Sequence, residues 1–305
     1  GSHAAVVSMG EGDGFSESYR YGVIDTSDGT VEGVSTDIQY LDNPYAAWIR
    51  GGDAVAYLAG TELQTLTIDG DGQPKTVFEA ESQLLGLKTT WDPNVVVAAT
   101  QFDHGSDAPA EQTARDMVYA VDVETGAVNE FAGIDASAVV GWITDAGALV
   151  MYDWNDTRPE TVTYRVFDPV TGDQIGTIAD APTAQAAERT LPTFGRYSVA
   201  VSADGRVEVI AIGTQNVYAF TAGANGMTMA RVDSPDGLLS DLFLTGNVFL
   251  SPDGTMLSLN GEEDEGRTRY LISLDEPEAS WVEIPNNVPG ERGRGLIIFA
   301  AGSDD

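Results

Sequence analysis

Apolar residues fall along this chain in short runs, broken at close intervals by Asp, Gly, Asn, Thr and Pro. The clearest case is NVFLSPDGTMLSL, residues 247–259, where two apolar runs flank Ser251-Pro252-Asp253-Gly254. Pro presets the first central dihedral of a turn and Gly accepts the positive φ that closes it, so the stretch predicts two antiparallel strands joined by a hairpin. Similar runs rich in Val, Ile, Tyr and Phe recur along the whole chain. Helical periodicity is poor, and only TAQAAER, residues 183–189, reads as a short helical turn. The pattern predicts an all-β protein.

The runs are themselves periodic. Within residues 44–80 they read YAAWIRGG, DAVAYLAG, TELQTLTIDGDG and PKTVFEA, four strand-like segments separated by turn residues. The same order returns over residues 84–132, 138–179, 194–233 and 245–285. A unit of four strands over roughly 40 to 55 residues has the size of one β-propeller blade. Turns between first and second strands keep their chemistry, as Asp92-Pro93-Asn94, Asp145-Ala146-Gly147, Ala203-Asp204-Gly205 and Pro252-Asp253-Gly254. Residues 4–37 supply only three strands, whereas residues 294–300 contain one, Gly295 to Ala300, with no partner in sequence. The expectation is a single domain over residues 4–305: a six-bladed β-propeller of four-stranded antiparallel blades. The C-terminal strand completes the first blade in a one-plus-three closure that removes open sheet edges. Gly1-Ser2-His3 reads as the remnant of a cleaved affinity tag, which places the natural N-terminus, and any signal peptide or membrane anchor, beyond this sequence.

The Ser251-Pro252-Asp253-Gly254 and Ser202-Ala203-Asp204-Gly205 turns, each between an inner strand and its neighbour, resemble the repeats of TolB-like and WD40-like bacterial propellers. The Trp-Asp pair that ends eukaryotic WD40 blades is missing from its usual place, since Trp91-Asp92 falls at the end of an inner strand. What the resemblance implies is the fold, and a habit of presenting loops to partners.

Charge narrows the partners. The 305 residues hold 48 acidic and 15 basic side chains, a formal net charge of −33, with Lys75 and Lys88 the two lysines. Such a surface repels phosphate backbones and anionic membranes, so neither nucleic acid nor direct membrane binding is expected. The absence of cysteine removes disulfides, thiolate nucleophiles and Cys-ligated metals. His104, the one histidine outside the first three residues, cannot build a His-based metal site, and no G-x-S-x-G elbow accompanies it. No catalytic residue is assigned, and no cofactor is expected apart from calcium, for which acidic loops offer oxygen ligands without an EF-hand spacing.

In a propeller, connections from second to third strands and from fourth strands to the next blade share one face. Here they include the longer stretches, among them residues 11–17, 40–44, 103–115, 153–160, 180–195, 234–245, 261–267 and 286–294. Loops on a rigid scaffold carry function, so that face is the expected binding surface. Trp154, flanked by Asp153, Asp156 and Arg158, has the make-up of an interface anchor. His104, Asp103 and Tyr40 join it as candidate binding residues, whereas Trp48, Trp91 and Trp142 are expected to fill space between blades. The sequence therefore predicts a noncatalytic, protein- or peptide-binding scaffold, extracytoplasmic and prokaryotic. Two alternatives stand beside it: a secreted carbohydrate-active hydrolase or lyase using paired carboxylates, and a calcium-dependent adhesion or sensing module.

Overall fold

The computed structural model describes residues 3–9, 18–26, 28–34, 38–39, 46–67, 73–100, 117–132, 138–144, 146–154, 161–182, 199–212, 216–232, 243–244, 249–263, 266–275 and 282–284. Among them the chain is all-β, interrupted only by a 3-10 turn at Arg50–Gly52. The chain divides into two compact units. One comprises Gly1–Ile143, Met151–Asn155 and Pro169–Asp173; the other comprises Thr144–Val150, Asp156–Asp168 and Gln174–Asp305.

Among the described residues, six antiparallel sheets follow one another along the sequence. The first joins β1 (His3–Met9), β2 (Ser18–Asp25) and β3 (Val31–Val34), with β4 (Ile38–Gln39) also on β2. It thus has three strand positions, and β1 takes in His3, which lies opposite Asp25. The second runs β5 (Ala46–Ile49), β6 (Ala54–Ala59), β7 (Glu62–Thr67), β8 (Lys75–Glu79). The third runs β9 (Leu84–Thr89), β10 (Val95–Thr100), β11 (Met117–Asp122), β12 (Val128–Ala132). The fourth holds β13 (Ala138–Ile143), β14 (Leu149–Trp154), β15 (Thr161–Phe167) and β16 (Gln174–Pro182) in that order. The fifth holds β17 (Val199–Val201), β18 (Val207–Ile212), β19 (Asn216–Gly223) and β20 (Gly226–Arg231). In the sixth, β21 (Phe243–Leu244) and β22 (Phe249–Leu250) both pair with β23 (Met256–Glu263), which continues to β24 (Gly266–Ser273) and β25 (Val282–Ile284). The closing strand expected at residues 294–300 lies outside the described residues, as does the helical turn expected at 183–189.

Position within a sheet sets composition. All of Val95–Thr100 is buried, and β6 is buried from Ala54 to Leu58; both are continuous apolar runs, as strands covered on two faces must be. Outer strand β8 is mostly exposed and carries Lys75 and Glu79, charges that discourage edge pairing. In the first unit Ile49, Leu58, Leu63, Leu84, Val96 and Val121 belong to one core cluster spanning the second and third sheets. Each such side chain, fully buried, contributes about 1.5–3 kcal/mol. Partly buried Trp48 packs against a second cluster of Val23, Val55, Tyr57 and Leu66, in line with the space-filling role expected of it. In the second unit Val209, Leu257, Leu259 and Ile272 form the corresponding core of the fifth and sixth sheets.

One expected loop is a strand pair. Residues 261–267 are expected as a connection from second to third strand, yet β23 runs to Glu263 and β24 begins at Gly266, with Glu262 opposite Arg267 in the register. Opposite charges in register favour a ladder rather than a loop.

Candidate functional site

Both ends of the third sheet can be compared directly. At one end β9 and β10 are joined through residues 90–94, and β11 and β12 through residues 123–127. At the other, β10 and β11 are joined through residues 101–116. The tight turns are held by their own polar atoms. Asp92 Oδ1 accepts the Asn94 amide at 2.8 Å, and Asp122 Oδ1 accepts the Glu124 and Thr125 amides at 2.8 and 3.0 Å. Burial alone pushes the Asp122 carboxyl up; those two amides, the Thr125 side chain and the Arg50 guanidinium outweigh it and hold it below the usual carboxylate range.

The two Ser-x-Asp-Gly turns share one design. Ser251 Oγ donates to Asp253 Oδ1 at 2.6 Å and accepts the Met256 amide at 2.8 Å; Ser202 Oγ donates to Asp204 Oδ1 at 2.7 Å and accepts the Val207 amide at 2.9 Å. The serine bond, followed by the Thr255 and Arg206 amides respectively, keeps both aspartates below their ordinary range. Gly254 and Gly205 close these turns at φ 76° and 72°.

These turn ends are also tied to the next sheet. In the first unit the Arg50 amide donates to Pro93 O at 2.8 Å, and Asn129 Nδ2 donates to Pro169 O at 3.1 Å and Val170 O at 3.0 Å. In the second, the buried carboxylates Glu208 and Asp168 accept the amides of Ala146 at 2.7 Å and Met227 at 2.8 Å, and the Ala203 amide donates to Pro252 O at 2.8 Å. A charged acceptor makes such a bond worth about 1.5–3 kcal/mol. Gly176 also serves as a socket for a side chain of the next sheet: a Cβ there would lie 2.7 Å from Met229 Sδ.

Sequence reasoning missed the most unusual of these turns. Arg50 has φ 53°, the single non-glycine residue with positive φ among those described, and Gly51 and Gly52 follow at 67° and 106°. A left-handed conformation with a Cβ costs on the order of 1 kcal/mol. The guanidinium recovers little: Nη2 donates to Val123 O at 3.3 Å, and buried Nε has no partner. Beside it lies a depression of about 460 Å³ lined by Arg50, Gly51, Pro93, Asn94 and Glu124. Directly after the first strand the third to sixth sheets carry Thr90, Thr144, Ser202 and Ser251, so an Arg in that place was the available signal.

Among the expected binding residues, Asp153 and Trp154 form the last two positions of β14, with their backbone extended. Tyr40, Asp103, His104, Asp156 and Arg158 lie outside the described residues, so the structure brings none of the set together. Among the described residues no group of three or more His, Asp or Glu side chains is placed to hold a metal ion.

No protein-family model matches the sequence, and no curated protein matches it. Solved structures similar to it include the β-propeller domain of Myceliophteria thermophila Cps50 (Swd1), at 12% identity over 94% of this chain and 88% of that one, TM-score 0.38. Kuenenia stuttgartiensis hydrazine synthase is similar at 14% identity over 87% and 75%, TM-score 0.37. The β-propeller domain of the Trilobed protease from Pyrococcus furiosus is similar at 10% identity over 89% and 79%, TM-score 0.42. These are likenesses of fold alone; the architecture rests on the chain's own succession of antiparallel sheets, each an up-and-down meander of the kind that forms a propeller blade.

Proposed function

We propose that this chain is a six-bladed β-propeller, its first blade completed by the strand at residues 294–300, and that it works outside the cytoplasm of a prokaryote as a noncatalytic scaffold binding a protein or peptide. The observation that supports this reading is the asymmetry of the third sheet: hydrogen-bonded turns at one end, and the connection 101–116 at the other. A scaffold whose turns are fixed holds the opposite loops at constant spacing, which lowers the ordering cost of binding. Trp154 is the anchor in this reading, with Asp153, Asp156, Arg158, Asp103, His104 and Tyr40 around it. Trp is among the residue types most enriched in binding hot spots.

A photo-crosslinking residue placed within 103–115 tests it in cells. The expected result is covalent capture of one defined protein, with Trp154→Ala and a deletion of residues 103–115 each reducing capture at least about tenfold at an unchanged melting temperature. Undiminished capture by both folded variants overturns the reading.

A further inference from the structure

The Arg50 turn is poorly explained as architecture. Its backbone sits where glycine is at ease, so the side chain is retained against strain. Its one hydrogen bond is long, its Nε is unpartnered, and in a chain with 48 acidic side chains the guanidinium has no ion pair among the described residues. Asn94, on the same depression, uses its backbone amide on Asp92 and its carbonyl on the Val123 amide, while its side-chain amide makes no hydrogen bond among the described residues. The Arg50 guanidinium, with its one long hydrogen bond, and the partly exposed Asn94 carboxamide therefore line one concavity of about 460 Å³. Donors not used within the protein and held in a fixed turn can meet an acceptor that enters the depression.

We infer that the Arg50–Asn94 depression binds a single carboxylate, from a small organic acid or from the C-terminus of a peptide. The class follows from the charges present. A carboxylate is planar and matches the guanidinium edge, with the second oxygen left for the Asn94 side chain. Glu124 on the rim and Asp122 close to Arg50 make a doubly charged ligand such as phosphate unfavourable. The remaining negative charge of the chain matters less, because charges beyond about 8 Å are largely screened at physiological ionic strength. This surface lies at the tight-turn end of the second and third sheets, away from the connection 101–116 in the proposed scaffold, and is independent of that reading.

N-acetylglycylglycine, its C-terminal amide, acetate and inorganic phosphate, each titrated into the full chain and followed by backbone amide chemical shifts, test the inference. Saturable shifts at Gly51 and Asn94 are expected with the free peptide acid, and none with the amide. Acetate binding as tightly as the peptide identifies a small acid as the ligand; acetate binding at least about tenfold more weakly identifies a peptide terminus. Arg50→Gly relaxes the strained backbone, so it is expected to abolish binding while the melting temperature holds or rises. Asn94→Ala is expected to weaken binding about threefold to tenfold, and Glu124→Gln to tighten it several-fold. Equal binding of acid and amide, tighter binding of phosphate, binding retained by Arg50→Gly, or no saturable shift with either carboxylate would each overturn it.

Discussion

Two kinds of turn occupy the same place in the repeat, between a sheet's first and second strands. At Ser251–Thr255 the serine hydroxyl, the aspartate carboxylate and the following amides satisfy one another within a few residues, and glycine takes the left-handed position. At Arg50 the left-handed position is held by a long charged side chain whose donors go largely unused. The first turn spends its polar groups on itself; the second keeps donors available at some cost in strain. Self-satisfaction is what architecture needs, and unused donors are what recognition needs.

The largest expected effect comes from filling the glycine of the first kind. A Cβ on Gly254 would meet Val207 Cγ2 at 2.7 Å and Cβ at 2.9 Å, in addition to the φ penalty, so Gly254→Ala should cost about 2–4 kcal/mol. Gly205→Ala, at a similar φ with nothing within 4 Å, should cost only about 1 kcal/mol. Urea unfolding of both measures the gap, and Val207→Ala should recover part of the loss in Gly254→Ala but none in Gly205→Ala. Equal losses in the two single variants would show that backbone strain, not contact, sets the cost.

Next comes the serine. Ser251→Ala removes both the donor to Asp253 and the acceptor for Met256 in a buried position, an expected loss of about 1–2 kcal/mol by urea unfolding; Ser202→Ala should match it. A smaller effect is pH-dependent. Asp253 and Asp204 have folded values below the unfolded one, so the stabilisation they give is complete above about pH 4 and lost as pH falls from there through their depressed values. Melting curves of the Asp204→Asn, Asp253→Asn double variant should therefore show a shallower decline below about pH 4 than the parent, and a parallel decline would contradict the assignment. The smallest change in stability is expected for Arg50→Gly: loss of one 3.3 Å hydrogen bond against relief of the strained φ, within about 1 kcal/mol of the parent by urea unfolding.

The contrast also explains what could be read from sequence. Strand order, repeat length and the Ser-x-Asp-Gly corners are local properties: each depends on residues within a few positions of one another, and each is found where the pattern predicted it. The stretch 261–267 differs from expectation because the length of a hairpin's strands is set by pairing across the ladder, which carries β23 to Glu263 and starts β24 at Gly266. The Arg50 depression was legible only as an Arg out of place in its turn. Its walls come from Arg50, Pro93, Asn94 and Glu124, which only strand pairing and the bond from the Arg50 amide to Pro93 O bring together. Asp153 and Trp154, expected at the start of the connection 153–160, are instead the last two positions of β14, while the company they keep depends on residues outside those described.

One feature of the ties between sheets bears on how such a chain changes over time. In each of those named above a main-chain group supplies at least one side: Pro93 O, Pro169 O, Val170 O, the Ala146 amide, the Met227 amide, and both sides of Ala203 to Pro252. Every residue supplies a carbonyl and nearly every residue an amide, so those positions can be substituted without cutting the tie. Repeats fastened in this way can drift apart in sequence while their attachment stays fixed, and a substitution cuts one of these ties only at its side-chain partner: Asn129, Asp168 or Glu208.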